Sequence, residues 1–131
     1  MSLHFAFLVL EEHPYGREML RVLLEYGFVP SIIVQEVSGV GDEERDKFLK
    51  RIEGQPIPRR LTQLIAGKNI PVYCVANHND VTCAELLKAN QPDVLVLGGT
   101  RIIKSHLLEI PKRATVNSHP GLLPWLRGSA S

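Results

Sequence analysis

The chain has 131 residues, of which 44% are hydrophobic and 22% charged, and a formal net charge of +1. That length suits one domain with a real core, so residues 1–131 are expected to form a single continuous unit. The near-neutral balance leaves no electrostatic footprint for nucleic acid or an anionic membrane, and neither partner is expected on global charge.

Residues 4–10 form a continuous apolar run of strand length, the signature of a strand buried on both faces. The run is too short to span a bilayer, and no basic region precedes it. Glu11 to Gly16 reads as a loop. Residues 17–26 carry Met19, Leu20, Leu23 and Leu24 at helical spacing, and Gly27 stands where a C-terminal cap belongs. Residues 31–37 are a second strand, rich in Ile and Val. Residues 41–55 are the most charged part, with Phe48, Leu49 and Ile52 as a narrow apolar stripe, and predict an exposed helical excursion. Pro56 and Pro58 end it. A short helix follows over 59–66, stopped at Gly67, and then a third strand over 71–76. Asn79-Asp80 opens a helix that runs to residue 89, with Thr82 and Glu85 at capping-box spacing as a second start. Residues 93–97 are a fourth strand ending on Gly98-Gly99, residues 102–108 a short helix ahead of Pro111, and residues 114–117 a fifth strand.

This alternation predicts an α/β fold of Rossmann-like type, a mostly parallel sheet with helices on both faces. No Gly-x-Gly-x-x-Gly follows the first strand, so the dinucleotide fingerprint is absent. Cys74 and Cys83 match no metal or redox spacing and read as reduced, partly buried thiols of a cytoplasmic protein. His13, His78 and His106 are scattered and read as surface or loop histidines without a metal.

The chemistry concentrates in residues 117–128, where the fifth strand meets a loop. Open α/β sheets bind ligands at such strand ends. Asn117 and His119 are two residues apart and share a face if the strand geometry persists. An Asn amide can steady a developing oxyanion, and a His can move a proton near neutral pH. The pair suits attack on a carbonyl-type carbon. The same residues also fit an Asx-turn followed by a half-exposed loop histidine. Gly98-Gly99 fits either a tight turn or a close approach of backbone to ligand. Arg101 is expected at a solvated helix start, or against a carboxylate or the edge of a bound ligand.

The string Asn117, His119, Pro120, Leu122, Leu123, Pro124, Gly128 resembles the signature of the folate-dependent formyltransferases. A second stretch, Leu97-Gly98-Gly99-Thr100-Arg101-Ile102-Ile103, is similar to the family segment that lines the pterin pocket. The resemblance implies 10-formyltetrahydrofolate as formyl donor and an amine as acceptor. It gives Asn117 and His119 catalytic roles, and Leu97, Gly98, Gly99, Arg101, Ile102, Ile103 and Leu123 donor-binding ones. It also implies that the last strands of the family fold, and a third catalytic residue, an Asp, lie past residue 131.

Glu11 and Glu12 would repel a substrate phosphate, which argues against glycinamide ribonucleotide as acceptor. The additional RNA-binding domain of the methionyl-tRNA enzymes has no counterpart in these residues. By elimination the acceptor expected is an amino sugar. Two alternatives stay open: a deformylase, in which water replaces the amine, and a non-catalytic folate-binding domain. A sheet ending on an exposed edge strand would also pair readily with a second copy.

Overall fold

The central strand, β1 (Phe5–Leu10), is buried at every position. It can be, because all six of its side chains are apolar and both faces of the sheet are covered. In the computed structural model of the chain, residues 3–10, 14–37 and 61–117 are described. After β1 come helix α1 (Pro14–Glu25), β2 (Ile32–Glu36), the short helix α2 (Leu61–Leu64) and β3 (Val72–Val75). Helix α3 (Val81–Asn90), β4 (Val94–Leu97), the short helix α4 (Ser105–Leu108) and β5 (Ala114–Asn117) complete the order. The predicted helix over 41–55 and the two prolines after it lie outside the described residues.

The five strands stand in the order β3-β2-β1-β4-β5. Every neighbouring pair is parallel. The order reverses between β1 and β4, which makes the C-terminal ends of those two strands the switch point of the sheet.

Period-two alternation divides the core cleanly. Ala6, Leu8, Ile32, Val34, Leu95 and Leu97 face one way and pack with Cys83, Ala84 and Leu87 of α3 and Leu107 of α4. Phe5, Phe7, Val9, Ile33 and Val96 face the other way and pack with Leu20 of α1 and Leu61 of α2. The expectation of helices on both faces is met, one helix pair to each face.

Helix boundaries follow local chemistry. The first helix begins at Pro14, three residues ahead of its predicted start at residue 17. A proline at the first helical position gives up only an N–H that has no helical partner, so its φ is preset at no cost. The helix ends as expected at Gly27, which takes φ +85°. The Gly27 N–H donates to Leu24 O (3.1 Å) and the Phe28 N–H to Leu23 O (2.8 Å), a Schellman closure. The last helix is shorter than predicted, because Lys104 stays extended as its N-cap. No helix among the described residues is long and apolar enough to cross a membrane.

Candidate functional site

The C-terminal ends of β1, β2, β4 and β5 come together on one rim of the sheet. At the switch point the chain packs backbone against backbone. The Leu10 N–H donates to Gly99 O (3.1 Å) and the Gly98 N–H to Leu8 O (2.8 Å). The start of α1 presses on the same turn. A methyl group on Gly16 would lie 2.1 Å from Gly98 O, and one on Gly98 would lie 2.2 Å from the Phe7 ring. Gly99 takes φ +77°, the left-handed region that favours glycine. The backbone bends at Gly98-Gly99. Gly98 has no side chain because Phe7 occupies that space.

Asn117 stands in register with Leu97 across β4 and β5. Its side chain is exposed at the rim. Leu97 and Ile103 are buried in the core, whereas Ile102 is 77% exposed. The strand-end segment 97–103 and Asn117 are therefore neighbours on adjacent strands. His119 and Leu123 lie outside the described residues, as do Glu11, Glu12, His13 and the rest of residues 118–131.

Arg101 does meet a carboxylate, and that carboxylate belongs to Glu36 at the end of β2. The Arg101 Nε donates to both Glu36 oxygens (2.8 and 3.0 Å), and Nη2 donates to Oε2 (2.8 Å). Glu36 is fully buried and the Arg101 side chain is 26% exposed. A two-toothed contact of this kind, between a planar fork and a carboxylate, is among the strongest that side chains make. It holds the Arg101 guanidinium above its ordinary pKa.

His78 corrects its expected surface placement. It sits in a turn, but it is completely buried. Its backbone N–H donates to Glu36 Oε1 (2.8 Å). Its ring Nε2 lies 2.8 Å from Val34 O, so Nε2 carries the proton and Nδ1 the lone pair. Nδ1 has no hydrogen-bond partner and faces Glu36 Oε1 at 3.6 Å. Burial pushes the imidazole below its usual pKa, and the nearby Arg101 charge pushes the same way. The Val34 carbonyl and Glu36 oppose them without prevailing.

Asn79 ties the next stretch down. Its Nδ2 donates to Ile102 O (3.0 Å), and its Oδ1 accepts from the Lys104 N–H (2.8 Å). The Asn79 carbonyl also meets the ring of His106 at 3.1 Å. The turn after β4 is thus fixed from two sides, by Glu36 through Arg101 and by Asn79. Sequence reading missed Glu36, His78 and Asn79. One signal was available: Glu36 shares a sheet face with Ile32 and Val34, so it puts an acid where the alternation calls for an apolar residue.

The cysteines divide. Cys74 is exposed, and Cys83 is buried in the core, where its thiol is pushed up to about 12. Among the described residues no three His, Cys, Asp or Glu side chains gather as a metal site. An open hollow of about 620 Å³ lies between the end of α3 and α4, lined by Lys88, Gln91, His106, Glu109, Ile110 and Lys112. None of these is a strand-end residue. In a parallel sheet of this order the strand ends are the better candidate.

The five parallel strands in this order, with a helix pair on each face, define a Rossmann-like α/β protein whose strand-end rim includes Asn117 and the 97–103 turn. Two solved structures share the fold. The phosphoribosylglycinamide formyltransferase of Anaplasma phagocytophilum matches with a TM-score of 0.62 at 18% identity, over 98% of this chain and 54% of that one. The phosphoribosylglycinamide formyltransferase of Coxiella burnetii matches with a TM-score of 0.61 at 16% identity, over 98% and 56%. Sequence relatives are nearer. The methionyl-tRNA formyltransferase of Chlamydia caviae is 38% identical over 101 residues, 76% of this chain and 31% of that protein. The methionyl-tRNA formyltransferase of Protochlamydia amoebophila is 33% identical over 98 residues, 74% and 30%. No protein-family model matches the chain. Over the stretch it shares the chain is similar to formyltransferases, and it spans about a third of the length of the curated relatives it matches.

Proposed function

We propose that this chain carries the donor side of a formyl transfer, in which an amine attacks the formyl carbon of 10-formyltetrahydrofolate. The observation that carries the reading is the exposed Asn117, in register with Leu97 at the ligand rim of a formyltransferase-like sheet. Its amide would donate to the oxygen that becomes negative as the amine adds, and His119 would relay the proton that the amine loses to the folate nitrogen, whose bond to the formyl carbon breaks. The turn at 97–103 is the donor contact in this reading. Ile102, largely exposed on a stretch whose backbone is held by Asn79, offers a fixed apolar surface to a flat ring.

The acceptor in this reading is a primary amine. The name shared by the sequence relatives favours the aminoacyl amine of methionyl-tRNA over the amino sugar reached by elimination. A product assay offering each acceptor in turn separates them. Release of formate with neither present would point to a deformylase instead, and donor binding without turnover to a non-catalytic domain.

The test is Asn117→Ala in the native-length protein. Loss of one oxyanion donor costs on the order of 10²–10³ in kcat, so turnover should fall by that much. The affinity for 5-formyltetrahydrofolate, a stable donor analogue, should stay unchanged. Equal turnover in the two proteins would remove Asn117 from the mechanism.

A further inference from the structure

We propose that Arg101 acts on the formyl donor only through Glu36: the buried carboxylate holds the guanidinium, and the pair fixes the 98–104 turn in its donor-binding shape. The inference rests on the donor-binding reading of that turn.

Three observations carry it. Three hydrogen bonds of 2.8–3.0 Å tie the Arg101 fork to Glu36, which leaves Nη1 as the guanidinium nitrogen not engaged with that carboxylate. Glu36 is itself anchored, accepting the His78 N–H at 2.8 Å on a fully buried side chain. The pair also spans β1. Glu36 is in register with Leu10, and Arg101 follows β4 on the far side, so the contact crosses two strand spacings, roughly 10 Å. A carboxylate of the chain therefore already occupies the Arg101 fork. What remains to Arg101 is to set the position of its backbone and of Ile102 beside it.

A double-mutant cycle in the native-length protein decides between direct contact and positioning. Calorimetric titration with 5-formyltetrahydrofolate is run on wild type, Glu36→Gln, Arg101→Met and the double variant. Each single change should weaken binding by about tenfold, and the double by no more than either alone, because all three break the same link. A loss in Arg101→Met that Glu36→Gln does not share, or losses that multiply, would overturn the proposal and put Arg101 on the donor. Absence of binding by the wild type would overturn the donor reading itself, a different failure. Should Glu36→Gln unfold, Arg101→Lys carries the test, since it keeps the charge and loses the fork. Amide hydrogen exchange at residues 99–104 of the unliganded protein should then speed up at least tenfold, whereas an arginine that only touched the donor would leave exchange as it was.

Discussion

His78 is a neutral base enclosed in protein, and that makes it the residue where pH acts on this fold. Its folded pKa lies below its unfolded value of about 6.5, chiefly because burial disfavours the imidazolium. The unfolded chain therefore binds more protons in the window below 6.5. Stability is complete above that pH, falls as pH drops through the window, and levels off below the folded pKa. Urea unfolding at pH 7.0 and 5.5 should show the wild type losing stability to this group. His78→Gln should start less stable and have a shallower pH dependence. The same slope in both proteins would clear His78 of the effect.

At the scale of the element, the close contact of α1 with the turn after β4 makes an unusual demand on one helical position. Alanine normally stabilises a helix over glycine by about 1 kcal/mol. At Gly16 the added methyl would meet Gly98 O at 2.1 Å and a Val9 methyl at 2.4 Å. One of those partners is backbone, which cannot rotate away. Overpacking of this kind costs about 1–3 kcal/mol, so the clash outweighs the propensity. Gly16→Ala should lower the denaturant midpoint; a rise would mean that helix and turn are further apart than described. Such contacts also show what was legible in advance. Elements with an apolar run or period, such as β1, β2 and α1, could be placed from the sequence, because burial writes those patterns directly. Gly16 was read as part of a loop, and Gly98 was left between two readings, because the atoms that crowd them come from a distant part of the chain. Glu36 was passed over for the same reason. Its acid in an apolar register hinted at a buried charge, but the counter-ion lies 65 positions on. Asn117 was found because its neighbours formed a long motif.

For the whole molecule, what matters is that β1 is the hub. It pairs with β2 on one side and β4 on the other, and the two apolar clusters meet across it. Neither cluster is complete until β4 supplies Leu95 and Leu97 to one face and Val96 to the other. The Glu36 carboxylate adds a second reason to wait. Stripping a buried charge of its partner costs about 3–5 kcal/mol, a large part of the total stability of a domain this size. During synthesis, then, the first two thirds of the chain emerge ahead of the arginine that grips this acid. A nascent chain that stops at residue 92 is expected to stay unfolded in far-UV circular dichroism, and one that reaches residue 117 to fold. A chain cut short of β4 thus lacks both the strand that closes the hub and the arginine that the buried acid grips.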